Sequence, residues 1–254
     1  MDYMDFLNVV FRWFHIIAGL FFVGLNWWFN LVFAPFASTT DGETRKKTLL
    51  ELIPRALYWF KWSAIYTLIF GALLLILIFY MGGLTIESQQ QWTAGSYIMA
   101  ILVFLIYRVY VLLANSSLGK DIRAFGAIGF VIVAAMVYGM IHFGNFSYRG
   151  YVMHLGVMFG VIMIGNVFET MLPAQKKILA AIASGTSPDP LLVARIAQRG
   201  QHNMYLSVPL LWTMIEAHTA VPAADSWLYL LAVILIGWFV VSLVSKKAGS
   251  IQKW

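Results

Sequence analysis

Runs of about 20 predominantly apolar residues recur along the whole of this chain, and each is long enough to cross the hydrocarbon core of a bilayer as an α-helix. Of its 254 residues, 61% are hydrophobic and only 11% are charged, whereas about 25% of an average soluble domain is charged. No stretch of soluble-domain composition remains between the runs. We therefore expect an all-α integral membrane protein that contacts the lipid bilayer as a single transmembrane helical domain over residues 1–254.

Hydropathy predicts seven transmembrane helices, near residues 6–34, 56–81, 92–114, 122–143, 150–172, 204–221 and 226–245. The sixth has the weakest apolar signal. Residues 173–203, between the fifth and sixth predicted helices, form the one long polar stretch and are interpreted as an amphipathic connection. Within it, "PAQKKILAAIASG" predicts a short amphipathic helix and "TSPDP" predicts a turn.

Basic residues are unevenly distributed between the predicted loops. When the loops are assigned to alternate sides, most Lys and Arg residues fall on the side of the C-terminus, and only Arg12 and Arg149 lie toward the other side. The positive-inside rule then predicts a periplasmic N-terminus and a cytoplasmic C-terminus in a bacterial inner membrane. The connection 173–203 is cytoplasmic in this topology. The net charge of +6 follows from the topology, and we expect no nucleic-acid partner.

The chain has no cysteine, which excludes disulfides, thiolate metal ligands, iron–sulfur ligation and covalent c-type haem attachment within these residues. A bound metal must therefore be held by histidine, methionine, carboxylate or backbone atoms. The histidines are the main candidates, because imidazole is a ligand for haem iron, copper and zinc alike.

Three histidines share one predicted depth in the membrane. At about 1.5 Å per residue, His15, His154 and His218 lie roughly 7–11 Å outside the midplane on three different helices. His142 lies slightly farther out, and His202 lies on the cytoplasmic side. Intramembrane ionisable residues usually face the bundle interior and mark function. Imidazoles on facing helices suit haem b, and a copper, iron or zinc ion held by histidines is the alternative cofactor.

Other polar residues also fall within predicted helices. Arg108 and Glu169 both lie in the cytoplasmic half and are candidates for a buried ion pair that fixes helix register, because an unpaired charge in the membrane is costly. The alternative is that they form part of a proton or substrate path. Glu216, near the outer face, is a candidate for binding a proton or orienting an imidazole, and the alternative is that it only reaches interfacial water. Interhelical hydrogen bonds are the default use of the amides Asn26, Asn30 and Asn166.

Four segments of the chain carry a further signal: "RWFHIIAGLFFVG" at 12–24, "WFKW" at 59–62, "HLGVMFGVIMIGNVFETMLPAQKK" at 154–177 and "RGQHNMYLSVPLLWTMIEAH" at 199–218. The last two are the specific ones, and "PDP" at 188–190 lies between them. Taken in order, the segments resemble the membrane domain of the bacterial urate hydroxylase family. These are membrane-bound urate oxidases in which a c-type cytochrome follows the N-terminal domain.

The resemblance implies a helical oxidoreductase domain that delivers electrons to cytochrome c. It also implies functional roles for His15, His154, His202 and His218, and it is the sole source for His202. Since this sequence has no cysteine for a cytochrome domain, we expect electrons to pass to a separate cytochrome c or to other respiratory subunits. Urate as the substrate rests on the resemblance alone.

The predicted function is a membrane-embedded, haem-binding oxidoreductase or electron-transfer subunit, urate hydroxylase-like in its most specific form. His15, His154 and His218 are the predicted metal ligands, and His142 and His202 are further cofactor-binding candidates. Two alternatives stay open. One is a non-enzymatic accessory subunit of a respiratory membrane complex, and the other is a transporter or channel. Against transport, the sequence has no matching pair of broken helices and no inverted repeat that inspection reveals.

Overall fold

A computed structural model of the chain describes residues 3–87, 90–216 and 226–251, which form seven long helices and no β-strand. The all-α class predicted from hydropathy is therefore confirmed for the described residues. In chain order the helices are α1 (Tyr3–Thr39), α2 (Gly42–Tyr80), α3 (Ala94–Asn115), α4 (Ile122–His142), α5 (Tyr148–Ala183), α6 (Pro190–Glu216) and α7 (Trp227–Ser250).

Six of these seven helices are long and apolar enough to cross a membrane, and α6 is the exception. The first half of α6 carries Arg195, Arg199 and His202, which lower its hydropathy. Its second half coincides with the sixth predicted span up to Glu216, where the described segment ends. The expectation of a membrane protein is thus supported by six helices, and the weakest predicted span is the one that differs.

Five helices continue five or more residues past the predicted ends of their apolar spans, all on one side of the predicted topology, and one of them is α7, which ends at Ser250. α1 extends to Thr39, α2 begins at Gly42, α5 extends to Ala183 and α6 begins at Pro190. We call the added turns of α1, α2, α5 and α6, at residues 35–39, 42–55, 173–183 and 190–203, the juxtamembrane extension. The predicted connection 173–203 is consequently helical except at residues 184–189.

Short polar turns join the helices of the extension. Asp41 precedes α2, and its Oδ1 atom accepts a hydrogen bond of 2.9 Å from the backbone N–H of Thr44. This bond satisfies one of the free donors at the helix start and holds the pKa of the Asp41 carboxyl below its ordinary value. After α5 the chain turns at Gly185, whose φ of +76° is a left-handed conformation that favours glycine.

The chain divides into two compact units. Unit 1 comprises Met1–Leu74, Met163–Ser207 and Trp238–Trp254, and unit 2 comprises Leu75–Ile162 and Val208–Gly237. In unit 1, α1 and the first part of α2 form an antiparallel hairpin with an aromatic seam. Phe14 stacks on Phe70 with ring centroids 4.9 Å apart, and the buried rings of Phe22 and Phe60 stack at 5.4 Å.

Unit 2 is centred on the first half of α5, where residues 151–156 are all buried. Thr93 caps α3, because its side chain accepts the N–H of Ser96 while the Ser96 hydroxyl accepts the N–H of Thr93. Gly156 of α5 directly faces Thr213 and Met214 of α6, so a Cβ atom at this position would collide with Thr213. The two helices therefore approach each other through a glycine.

Three of the long helices contain a π-helical segment, in which each N–H pairs with the carbonyl five residues earlier. The segments are Phe29–Phe33 in α1, Leu75–Tyr80 in α2 and Asn166–Met171 in α5. At two of these segments, a side-chain amide donates a hydrogen bond to a backbone carbonyl. Asn30 donates to the carbonyl of Asn26 at 2.7 Å, and Asn203 donates to the carbonyl of Met163 at 3.2 Å.

Candidate functional site

His15 lies on α1 in unit 1, and its ring is held by α2. Its Nδ1 atom is 3.0 Å from the carbonyl oxygen of Thr67. A carbonyl can only accept, so Nδ1 carries the proton and Nε2 presents its lone pair. One turn after Thr67, Gly71 leaves space for the ring, because a Cβ atom there would lie 2.8 Å from Cε1 of His15. The imidazole is thus fixed with Nε2 available.

His154 lies on α5 in unit 2 and is 0% exposed. Its Nδ1 atom is 2.7 Å from the carbonyl oxygen of Gly150, and its Nε2 atom is 3.1 Å from the hydroxyl of Tyr80. By the same reasoning, Nδ1 donates to the carbonyl and Nε2 accepts from the tyrosine. The ring of Phe146 approaches edge-on, with centroids 4.7 Å apart. His154 is therefore a fully oriented imidazole whose Nε2 atom faces a phenol.

The two histidines share one arrangement although they belong to different units. In both, a backbone carbonyl fixes the Nδ1–H tautomer and leaves Nε2 as the basic atom. Metal-binding histidines almost always have their second nitrogen bonded in this way, which sets the ring orientation and raises the basicity of the ligating atom. Whether they share a cofactor stays a prediction, and His218, the third residue of the predicted set, lies outside the described residues.

The remaining two histidines have different surroundings. His142 ends α4 with an exposed side chain, and its ring lies over Tyr138 with centroids 4.2 Å apart. His202 is buried in the first half of α6. Within the described ranges, no group of three His, Cys, Asp or Glu residues is arranged to hold a metal ion.

The motif "RGQHN" at 199–203 brings buried polar groups into unit 1. Arg199 is 1% exposed and His202 is also buried, although arginine is rarely fully buried in proteins. Asn203 connects α6 to α5, because its Oδ1 atom accepts from Asn166 at 2.9 Å while its Nδ2 atom donates to the carbonyl of Met163. Sequence reasoning found the use of Asn166 in an interhelical hydrogen bond. It missed the burial of Arg199 and the partner residue Asn203, although the motif itself was noticed.

Among the buried polar side chains of unit 1, Asn26 of α1 has the fewest hydrogen bonds to its side chain. It is 0% exposed, and neither its Nδ2 nor its Oδ1 atom has a hydrogen-bond partner among the described residues. A buried amide left without partners costs about 1–3 kcal/mol per group and calls for an ordered water or a ligand. One turn later, Asn30 lies against Gly200, where a Cβ atom would be 2.9 Å from its Oδ1 atom.

The charged residues within the predicted helices differ in their burial. Arg108 and Glu169 both have exposed side chains, and they belong to different units, so their pairing stays a prediction. Glu216 is buried and accepts a hydrogen bond of 2.8 Å from the hydroxyl of Tyr148. Sequence reasoning could not supply this partner, because the two residues are far apart in the chain and neither carries a local signal.

Comparison with known proteins gives one match. The family model described as urate oxidase N-terminal matches residues 45–254. This range contains His142, His154, His202 and His218, together with both of the specific segments. It begins after the segment 12–24 that carries His15. Neither the curated proteins nor the solved structures give a match to the chain.

Proposed function

The chain belongs to the urate oxidase N-terminal family, and from this membership we propose that it is a membrane-embedded, haem-binding oxidoreductase or electron-transfer subunit. The proposed cofactor is haem b. In its most specific form the activity is urate hydroxylase-like, with electrons passed to a separate cytochrome c. The proposed location is a bacterial inner membrane, which the resemblance to the bacterial urate hydroxylases suggests. The N-terminus is placed in the periplasm because the basic residues concentrate on the opposite side.

The shared setting of His15 and His154 is the observation that carries the proposal. Each is a membrane-helix imidazole with Nδ1 bonded to a carbonyl, at 3.0 Å and 2.7 Å respectively, and with Nε2 as the basic atom. Both histidines have the tautomer that metal-ligating histidines use, and this supports a bound iron.

The two histidines fit a role as iron ligands to different degrees. His15 has no hydrogen-bond partner at Nε2 among the described residues, so the lone pair of that atom is not engaged. His154 can ligate once the Tyr80 hydroxyl moves away from its Nε2 atom. Haem, if bound, would supply a one-electron redox centre whose potential depends on the ligands of its iron and on their hydrogen bonds. Thr67 and Gly150 would hold the Nδ1 protons and keep both ligands basic.

A urate hydroxylase-like activity also requires groups that bind a planar, anionic, hydrogen-bonding heterocycle. The chemically suited residues in unit 1 are Arg199, which supplies a buried positive charge and a planar fork of donors, and His202 beside it in the motif. Asn26 offers a donor and an acceptor that the described residues leave unused. We assign substrate binding to these residues within the urate version of the proposal.

The absorption spectrum of the purified protein tests the cofactor. We expect a Soret band and, after dithionite reduction, the α-band of a b-type haem. Absence of both bands from fully loaded protein would contradict haem, and metal analysis would then test the copper or iron alternative. His15→Ala and His154→Ala should each lower haem content, whereas His142→Ala, which changes an exposed ring, should not.

A second measurement separates urate hydroxylase-like activity from electron transfer that does not use urate. Urate added anaerobically to the oxidised protein should reduce the haem if the activity is urate hydroxylase-like. Haem that dithionite reduces but urate does not would leave electron transfer as the function and remove urate as the substrate. If urate is not the substrate, Arg199→Gln should leave the haem spectrum unchanged. If urate is the substrate, Arg199→Gln should weaken the reduction of the haem by urate.

A further inference from the structure

An elongated cavity of about 720 Å³ lies within unit 1, in and beside the juxtamembrane extension. Its walls come from the end of α1, the start of α2, the end of α5 with its following turn, and the start of α6. Among the described residues, no histidine lines it. The described lining of the cavity therefore does not include His15 or His154.

The cavity is long in the direction of the helix axes. Its lining residues on α2 run from Arg45 to Phe60, a rise of about 22 Å in an α-helix. Leu49, Ile53 and Leu57 form the apolar wall between these ends. At the end farthest from Arg45, the rings of Phe60 and Phe29 line the cavity with centroids 5.4 Å apart, and Asn30 lies beside them.

Positive charge is confined to the end of the cavity that lies in the juxtamembrane extension. Arg45 and Lys46, in the first turns of α2, are both exposed and both line the cavity, whereas no Asp or Glu is found among its described lining residues. The Arg45 guanidinium donates one hydrogen bond, of 3.5 Å, to the carbonyl of Ala37 at the end of α1. This contact is long and exposed, and it leaves the other donors of the guanidinium available to a ligand.

We propose that this cavity binds an amphipathic anion with a long hydrocarbon chain. The carboxylate or phosphate head group binds at Arg45 and Lys46, and the chain runs inward past Ile53 toward Phe60. A free fatty acid and an anionic phospholipid share this chemistry. A zwitterionic head group fits less well, because it would place a third cation beside Arg45 and Lys46. A small planar anion also fits less well, because it would leave most of the apolar wall uncovered.

Native mass spectrometry of the whole, detergent-purified protein tests the proposal with three probes: oleate, phosphatidylglycerol and phosphatidylcholine. We expect a one-to-one complex with oleate, with phosphatidylglycerol or with both, and weak binding of phosphatidylcholine. Binding of oleate alone assigns the site to free fatty acids, and binding of phosphatidylglycerol alone assigns it to a membrane lipid. The double variant Arg45→Gln/Lys46→Gln should bind the anionic probe about 30-fold more weakly, the effect of two cations at a membrane surface.

Two controls separate the cavity from general surface charge and from misfolding. Lys47→Gln removes the neighbouring exposed charge, which does not line the cavity, and should leave affinity unchanged. Ala37→Trp fills the cavity with both cations intact and should abolish binding, whereas Ala135→Trp on the exposed face of α4 should not. The proposal is overturned if the wild type forms no complex, if phosphatidylcholine binds equally well, or if a folded Arg45→Gln/Lys46→Gln variant keeps its affinity. The thermal unfolding midpoint identifies folded variants.

Discussion

Gly71 on α2 faces the imidazole of His15 so closely that a Cβ atom at position 71 would lie 2.8 Å from Cε1 of that ring. The carbonyl of Thr67, one turn earlier, accepts the Nδ1 proton of the same ring. One residue of α2 therefore orients the imidazole, and another provides the space in which it lies. Together they determine where the free Nε2 atom points.

Gly71→Ala should displace the His15 ring. Because the new methyl group needs the space of Cε1, we expect the bond to Thr67 to lengthen and the free energy of unfolding to fall by about 1–3 kcal/mol. Haem content and the position of the reduced α-band should also change if His15 is a ligand. Gly24→Ala on α1 is the matched control, since a Cβ atom there meets nothing within 4 Å. Unchanged stability and spectrum in Gly71→Ala would show that the ring is not confined.

Tyr80→Phe should make Nε2 of His154 available by removing the hydroxyl that lies 3.1 Å from it. If His154 is a haem ligand, this variant should keep or raise haem content, whereas His154→Ala lowers it. If the bond between Tyr80 and His154 only joins two helices, both substitutions should lower the unfolding midpoint and neither should alter the haem spectrum. Tyr97→Phe, at an exposed position, controls for the loss of a phenol.

Asn166 and Asn203 should be energetically coupled, because their side chains share a buried hydrogen bond of 2.9 Å. Asn166→Leu and Asn203→Leu should each destabilise the protein, and the double variant should lose less than the sum. Hydrogen bonds between membrane helices give coupling energies of about 0.5–2 kcal/mol. Chemical unfolding in mixed micelles measures the cycle, and additive effects would contradict a direct interaction.

Gly156→Ala should separate α5 from α6 within unit 2, since the added methyl group would collide with Thr213. The expected loss of unfolding free energy is about 1–3 kcal/mol. Gly160→Ala, one turn later on the same helix, meets nothing within 4 Å and should leave stability unchanged or improve it slightly. Thermal unfolding of the two variants side by side makes the comparison, and equal effects would exclude a close contact at Gly156.

Hydropathy predicted the ends of α3 and α4 to within two residues. These helices begin after the caps Thr93 and Asp121, so polar residues and helix ends coincide. The start of α2 was predicted fourteen residues too late because the first residues of this helix are polar. Helical hydrogen bonds continue through the polar residues 42–55, and a scale that measures transfer into lipid does not respond to them.

The site was predictable to the extent that its chemistry lies in single residues. Histidines within apolar spans stand out, and they were identified. Their partners do not, because Thr67, Gly71 and Tyr80 are ordinary residues of membrane helices and meet His15 or His154 only through packing. The burial of Arg199 was missed because an arginine near a predicted loop is normally assigned to the membrane surface.

The π-helical segments have a consequence for comparing this chain with its relatives. A turn closed by a carbonyl and an N–H five residues apart holds one more residue than an α-turn, so each segment is equivalent to a single-residue insertion inside a helix. An alignment that forbids gaps within helices would misplace every residue after Phe29–Phe33, Leu75–Tyr80 or Asn166–Met171 in a relative without the insertion. Single-residue gaps at these points would instead keep His154, His202 and Asn203 aligned with their true counterparts.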